Sequence, residues 1–271
     1  YEDFIKDNGP WKSYVFFKKM SINVCPYCNR MYTFTIDAEK IIIKNKKTKN
    51  EKIKITAPEI DHFYPQSEFP QLACSLYNFI PSCKICNHVK SNNANNLVYP
   101  YQKGFEDDDS FRVCATESLF FTRKSEGFNI KIRKTSAFSS NPKERHVEEE
   151  KCSRIKNSIN TFHLEEIYNE HQIELQDLFT RYRNYSKPKI DEITKLVIST
   201  KCEDELSNLD ETQQEKIIKA ITSTYTKRIR NTILGLPLGA DEKQYPLRKF
   251  KEDIIEQLDA TRRKMKEDVN I

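Results

Sequence analysis

Two short stretches of the sequence dominate the organisation of the first half of the chain. They read Glu59-Ile60-Asp61-His62-Phe63-Tyr64-Pro65 and Asn78-Phe79-Ile80-Pro81-Ser82-Cys83-Lys84-Ile85-Cys86-Asn87, and Lys90 follows closely. The second stretch contains a Cys-x-x-Cys pair, and Cys25-Pro26-Tyr27-Cys28 supplies another pair upstream. Two such pairs in one chain are typical of a tetrahedral metal site with four thiolate ligands. We therefore predict a small module that a metal ion holds together.

The metal that these four thiolates favour is zinc. Each pair forms a tight turn that points both sulfurs at one ion, and the long spacer between the pairs is an insertion between two such turns. A redox pair and chance spacing are the alternatives, but no thioredoxin-like βαβ pattern surrounds either pair. Four thiolates leave no open position for water, so we expect a structural role. The predicted ligands are Cys25, Cys28, Cys83 and Cys86.

The other four cysteines lack ligand spacing. Cys74, Cys114, Cys152 and Cys202 are scattered along the chain, and we expect them to be small buried hydrophobic residues. Cys74 is the one to watch, because it lies near the second pair in the sequence.

The periodicity of apolar residues predicts an α+β module followed by an all-helical domain. Apolar residues alternate with polar ones over 31–57, which predicts a β-hairpin, and again between Phe111 and Arg133, which predicts two short strands. From Pro142 onward apolar residues recur at helical spacing. We place the domain boundary near 140, giving a metal module over 1–140 and a helical partner-docking or support domain over 141–271.

Positive charge is concentrated in the first half of the chain. Residues 1–141 hold 21 Lys and Arg against 15 Asp and Glu, whereas residues 142–271 hold 24 against 25. A basic region favours a polyanionic partner such as nucleic acid, although a lysine-rich solvated surface is the plain alternative. Within the hairpin, Lys44, Lys46 and Lys47 are candidates for phosphate contacts, or they protect an exposed edge strand.

The hydropathy pattern does not predict a membrane protein. No apolar run approaches the roughly 20 residues that a membrane-spanning helix requires. The sequence as given also opens without a basic and then apolar secretory signal. We therefore expect a cytoplasmic protein with no membrane partner.

The motif residues resemble the HNH, or ββα-metal, endonuclease superfamily. Its pattern of Asp-His, a middle Asn, a Cys-x-x-Cys pair, a final His or Asn and a Lys occurs here in that order. With the first cysteine pair, the resemblance covers roughly 25–90. It implies two antiparallel strands and a helix that grip one divalent ion, and it implies hydrolysis of phosphodiester bonds.

The resemblance assigns a role to each motif residue. His62 would be the general base, since imidazole titrates near neutrality. The side-chain carbonyl of Asn78 would accept from that imidazole and fix its tautomer. Asp61 and Asn87 would supply hard oxygen ligands to Mg²⁺ or Mn²⁺. Lys90 would lie beside a phosphate.

The last motif position departs from the commoner form of the family. That position is often His, whereas this chain has Asn87 followed by His88. An Asn is tolerated there in the HNH domain of the CRISPR RNA-guided nuclease, so the substitution favours Mg²⁺ without abolishing activity. We expect His88 to point away from the site if the helix starts near Asn87.

Two classes of function remain open from the sequence. The first is an endonuclease acting on DNA, with RNA not excluded, and the second is a catalytically inactive zinc module that binds nucleic acid or serves as a scaffold. The chain, including Leu97-Val98-Tyr99-Pro100-Tyr101, also resembles HNH proteins of bacterial anti-phage defence, such as the nuclease subunits of Septu-like or retron systems. That resemblance implies an ATPase or retron-type partner protein.

Overall fold

The computed structural model describes most of the chain. The described residues are 13–44, 47–93, 96–103, 111–115, 128–135, 137–206, 210–236, 238 and 244–269. In the hairpin over 37–55 only the backbone is described. No helix within these ranges is long and apolar enough to cross a membrane.

The described part of the first half mixes short helices with short strands. Helix α1 and the hairpin strands β1 and β2 come first, then the strand–loop–strand–helix run β3, β4 and α2, and finally α3, β5 and β6. Their bounds are α1 Ser13–Met20, β1 Ile36–Lys44, β2 Lys47–Thr56, β3 Glu59–His62, β4 Phe79–Ser82, α2 Lys84–Lys90, α3 Pro100–Lys103, β5 Phe111–Ala115 and β6 Ile130–Lys134. The predicted hairpin and the two later strands are therefore confirmed.

The rest of the described chain is helical, as the apolar spacing predicts. The bounds are α4 Pro142–Thr161, α5 Leu164–Asn169, α6 Gln172–Asn184, α7 Lys187–Leu206, α8 Glu211–Leu234 and α9 Arg248–Val269. Local sequence explains several ends. Asn141 caps α4 by accepting from the Lys143 amide, and Pro142 occupies the first turn. Gly235 ends α8 in the left-handed conformation, with φ 67°. The α+β fold class is confirmed.

Three two-stranded sheets occur within the described residues. Strands β1 and β2 pair antiparallel, with Lys44 opposite Lys47 and a register shift between Ile36 and Asp37. Strands β3 and β4 also pair antiparallel, with Asp61 opposite Ile80 and His62 opposite Phe79. Strand β5 pairs with β6. Three lysines of the hairpin are candidates for phosphate contacts. Lys46 and the side chains of Lys44 and Lys47 lie outside the described part, so their role stays a prediction.

The chain divides into two compact units that interleave along the sequence. The first, here called the cysteine unit, comprises Tyr1–Cys114, Ile130–Tyr168 and Lys243–Lys249. The second, here called the helical unit, comprises Ala115–Asn129, Asn169–Glu242 and Phe250–Ile271. This division differs from a single boundary near 140, because helices α4 and α5 belong with the cysteine motifs.

Physical contacts explain why α4 and α5 join the cysteine unit. The ring of Phe162 stacks on Tyr27 between the first two cysteines, with ring centroids 4.5 Å apart. The Tyr168 hydroxyl, fully buried, donates to the Cys28 carbonyl at 2.9 Å. Burial of these aromatic rings is a large apolar contribution that a fragment ending near 140 would lack.

The helical unit has its own apolar core. Its buried side chains come from α6, α7, α8 and α9 and include Leu175, Leu178, Ile190, Ile198, Leu234, Phe250, Ile254 and Leu258. Phe128 stacks on Phe179 at 4.7 Å, and its backbone amide and carbonyl both pair with the Gln172 side chain.

The buried cysteine predicted at 152 is confirmed. Cys74 is exposed and Cys114 is half-buried, so the prediction is wrong for Cys74, and the Cys202 side chain lies outside the described part.

Candidate functional site

The four predicted ligand cysteines converge in the cysteine unit. All four are buried, and their sulfurs lie within 4.8 Å of one another. The Sγ atoms of Cys28 and Cys83 are 4.0 Å apart. Zinc–thiolate bonds of about 2.3 Å in a tetrahedron place the sulfurs about 3.8 Å apart. The residues present therefore fit a tetrahedral metal such as zinc, and the cluster can hold such an ion.

Backbone hydrogen bonds shape the first cysteine turn. The Asn29 amide donates to the Cys25 carbonyl at 2.8 Å, and the Cys25 amide donates to the Met31 carbonyl at 2.8 Å. Asn29 adopts a positive φ of 48°, which Asn tolerates better than most residues. The Leu247 amide donates to the Asn29 carbonyl at 2.6 Å, so a segment far along the chain closes over this turn.

The second cysteine turn is the start of helix α2. Cys83 is the N-cap, with extended backbone angles, and its sulfur accepts from the Cys86 amide at 3.5 Å. Hydrogen bonds from the neighbouring thiols lower the pKa of Cys83, while hydrogen bonding with the same neighbours raises the pKa of Cys86. A metal ion binds thiolates, so its binding would release the protons that the sulfurs carry.

His62 stands at the end of β3, where the strand meets the loop to β4. Its ring is half-buried and lies edge-on to Phe79, its partner across the strand pair, with centroids 5.1 Å apart. Its Nε2 is 3.1 Å from the Ala73 carbonyl oxygen. A carbonyl only accepts, so this contact puts the proton on Nε2 and the lone pair on Nδ1.

The hydrogen bonds of Asn78 differ from the predicted contact with the imidazole. Its buried side-chain carbonyl accepts from the Tyr64 amide at 2.8 Å, and its amino group donates to the Tyr64 and Leu72 carbonyls at 3.0 and 3.2 Å. The backbone carbonyl of Ala73 contacts the imidazole in the way expected of Asn78. Asn78, at the end of the β3–β4 loop, instead binds Tyr64 near the start of the loop and Leu72, the residue before Ala73.

Asp61 and Lys90 form a buried ion pair. The Lys90 ammonium donates to Asp61 Oδ1 at 3.1 Å and to the His62 carbonyl at 2.8 Å, and the Tyr27 hydroxyl donates to Asp61 Oδ2 at 2.6 Å. Burial raises the pKa of Asp61 and lowers the pKa of Lys90, against the mutual attraction of the pair. Lys90 is fully buried, and its role beside a phosphate stays a prediction.

Asp61, His62 and Asn87 line one cleft of about 370 Å³ in the cysteine unit. His88 lines the same cleft, which corrects the expectation that it would point away. That expectation rested on a helix start near Asn87, whereas α2 starts at Lys84. Neighbours on a helix are about 100° apart, so both Asn87 and His88 reach a wide cleft. The second Cys-x-x-Cys turn starts helix α2 at Lys84. A helix start at this turn would have predicted that His88 lies beside the cleft.

The cleft partly suits a hard divalent cation. Asn87 and Asp61 bring an amide oxygen and a carboxylate to it, which are the ligand types that Mg²⁺ and Mn²⁺ prefer. The Lys90 ammonium already occupies one carboxylate oxygen. A divalent ion on Asp61 would therefore replace a cation that the protein itself supplies.

Comparison of the chain with protein-family models, with curated proteins and with solved structures gave no match.

Proposed function

We propose that the protein is a metal-dependent endonuclease of the HNH type that hydrolyses phosphodiester bonds of DNA. The observation that carries the proposal is the cleft in which His62, at the end of an antiparallel strand pair, meets Asn87 and His88 on the adjoining helix α2. Helix α2 also contacts strand β3. The four-cysteine cluster beside them would hold a structural zinc ion that fixes the start of that helix.

In the proposed reaction His62 removes a proton from the attacking water. The Ala73 carbonyl holds the proton on Nε2, which leaves Nδ1 to act as the base. Asn78 supports this arrangement indirectly, since it fixes the loop that carries Ala73. A bound Mg²⁺ or Mn²⁺ would supply charge neutralisation at the scissile phosphate, with Asn87 and Asp61 as the residues that hold it.

A second candidate function is a catalytically inactive zinc module that binds nucleic acid or acts as a scaffold. The buried Asp61–Lys90 pair favours it, because each oxygen of the carboxylate already has a donor. In that case the cleft would hold no divalent ion, and the position of the His62 imidazole would have no catalytic consequence. The two candidates differ in one measurable property, which is cleavage that depends on a divalent ion.

A plasmid-nicking assay with the full-length protein separates these candidates. We expect Mg²⁺ or Mn²⁺ to support nicking of supercoiled DNA, and we expect His62→Ala to abolish it while zinc content is unchanged. His146→Ala is the matched control, since this exposed histidine lies on α4, outside the cleft. Equal nicking by wild type and His62→Ala, or no nicking with either ion, would remove the endonuclease proposal.

We also propose that a partner protein of the ATPase or retron type controls the activity of the proposed nuclease. The two proteins would belong to a bacterial anti-phage defence system. Residues 142–271 carry nearly balanced charge, so they add little electrostatic attraction to DNA. Ile173 and Leu196, in α6 and α7, expose 78% and 62% of their surface and suit contacts with a partner. Ile173→Glu with Leu196→Glu should abolish a complex seen by native size measurement in the source cells. A wild-type protein that runs there as a monomer would contradict this.

A further inference from the structure

The cysteine unit contains a second, larger cleft, which is lined in part by the β3–β4 loop. It has a volume of about 580 Å³. Its walls bring together four aromatic rings from three separate segments of the chain, and we call it the aromatic cleft. The four rings belong to Phe63, Tyr64, Tyr77 and Tyr99.

The rings of the aromatic cleft are exposed to different degrees. Phe63 is 3% exposed and forms the floor, whereas Tyr64 is 42% exposed and Tyr77 is 79% exposed. A large ring that is exposed at the wall of a cleft adds little to folding, since most of its apolar surface stays in water. Such rings are suited to stacking on a planar ligand.

The positions of the rings are fixed by neighbours. Phe63 meets Tyr64 and Tyr99 edge to face, with centroids 5.1 and 5.0 Å apart. The Tyr99 hydroxyl donates to the Tyr77 carbonyl, which anchors the backbone of Tyr77 while leaving its ring outside. The Asn78 side chain holds Tyr64 through both of its backbone polar groups. The rings of Phe63, Tyr64 and Tyr99 therefore need little reordering when a ligand enters, and the exposed Tyr77 ring is carried by an anchored backbone.

Polar groups on the remaining wall match the edge of a nucleobase. Asn96 and Gln102 supply amide groups that can donate and accept, and Arg154 supplies a cation. Arg154 lies 3.5 Å from Glu150, with nearly half of its side chain exposed, so the guanidinium remains accessible to a phosphate. Aromatic faces together with amide edges and a basic group are what single-stranded nucleic acid requires of a protein.

The aromatic cleft and the candidate catalytic residues are adjacent along the chain. Phe63 directly follows His62 in the chain, and the Lys90 ammonium that contacts the His62 carbonyl lies 5.9 Å from the Phe63 ring centroid. A strand whose phosphate meets His62 would thus have a neighbouring base near Phe63. In a duplex that base is stacked and paired and could not enter a cleft.

We propose that the aromatic cleft binds an unpaired nucleobase next to the scissile phosphate, so that the preferred substrate is single-stranded or locally unpaired nucleic acid. This inference rests on the proposed nuclease function and narrows its substrate class. Stacking between Tyr77, Tyr64 and the base supplies affinity, and it tolerates any base because every base has a π-face. The sugar is not specified by stacking, so DNA and RNA strands are separate arms of the test.

The test measures binding of fluorescent 12-mers to full-length His62→Ala protein, which keeps both clefts without cutting the probe. The probes are oligo-dT, oligo-rU and a 12-base-pair DNA duplex. We expect one or both single strands to bind at least 10-fold more tightly than the duplex. Adding Tyr77→Ala should weaken single-strand binding by about 5- to 100-fold, the loss of one stacked base, while Tyr77→Trp should retain it. Tyr32→Ala, which removes a 56%-exposed tyrosine outside the cleft, is the matched control and should change binding less than 2-fold.

Each outcome separates this inference from the nuclease proposal. Equal affinity for duplex and single strands, or unchanged binding after Tyr77→Ala, overturns the aromatic cleft as a base site even if wild-type protein cuts DNA. Tyr77-dependent binding of a single strand supports the cleft even if the wild-type protein cuts nothing with Mg²⁺ or Mn²⁺, and in that case only the nuclease proposal fails. Tighter binding of oligo-rU or of oligo-dT identifies the sugar.

Discussion

Changing Asn78 to Asp distinguishes a loop clamp from a direct partner of the His62 imidazole. The orientation of the Asn78 amide is fixed by its surroundings, since the Tyr64 amide requires an acceptor and the Tyr64 and Leu72 carbonyls require donors. An aspartate keeps the acceptor and loses both donors. If Asn78 served only as an acceptor for His62, Asn78→Asp would be nearly silent.

The structure predicts that Asn78→Asp is damaging. Two lost hydrogen bonds, at about 0.5–1.5 kcal/mol each, lower the free energy of unfolding by about 1–3 kcal/mol. The buried carboxylate would also face two carbonyl oxygens, which adds to the loss. For a chain of this size, 1 kcal/mol corresponds to about 2–4 °C, so the melting temperature should fall by about 2–12 °C. Displacement of Ala73 would loosen His62, and kcat should fall by up to about 100-fold.

The assay combines thermal unfolding of the zinc-loaded protein with the initial rate of plasmid nicking. Asn160→Asp is the matched control, because this asparagine is exposed on α4 in the same unit and should tolerate the change. A variant Asn78→Asp with the melting temperature and rate of the wild type would refute the clamp. That result would instead fit the acceptor role that the sequence predicts, because an aspartate oxygen can accept from the imidazole as the amide oxygen does.

The remaining predictions concern the histidines, the cysteine cluster and the extent of the folding unit. His62→Ala should lower kcat by about 100- to 10,000-fold without loss of zinc, as measured by single-turnover nicking, because it removes the general base. His88→Ala should lower the rate by only about 5-fold, since an exposed group contributes at most about 1 kcal/mol, and a loss as large as that of His62→Ala would give His88 a catalytic role. Cys83→Ser should release zinc and unfold the cysteine unit, seen by metal analysis and circular dichroism, and zinc should also leave the wild type on acidification because protons compete for the thiolates. A fragment comprising 1–141 should fail to fold even with zinc, since it lacks Phe162 and Tyr168, and a folded, zinc-loaded fragment would contradict that.

The features that follow from local spacing could be predicted from the sequence. Each Cys-x-x-Cys turn brings its two sulfurs together through its own residues alone. The four-cysteine cluster could therefore be predicted from the sequence. The alternation over 31–57 and the apolar spacing after Pro142 likewise reflect burial of one face of a strand or helix. These signals are local, and the structure bears them out.

The features that depend on distant segments could not be predicted in the same way. Lys90 has the sequence position of a phosphate ligand, but its ammonium is drawn to Asp61, which lies 29 residues earlier. Asn78 has the motif position of an imidazole partner, but two loop carbonyls compete for its amide. The interleaving of the units depends on rings such as Phe162, which stacks on Tyr27. Helical periodicity does not predict which distant residue such a ring will contact.

Helix α2 joins the cysteine cluster to the proposed catalytic cleft. Its N-cap is Cys83 and its first turn carries Cys86, so a metal ion on the cluster would fix where the helix begins. Asn87 and His88 follow immediately and line the cleft, and Lys90 ends the helix on Asp61. With seven residues the helix is too short to be stable alone, since isolated helices below about 12–15 residues are marginal in water. The four-cysteine cluster and the Asp61–Lys90 pair lie at the two ends of this helix, so the position of Asn87 in the cleft depends on both.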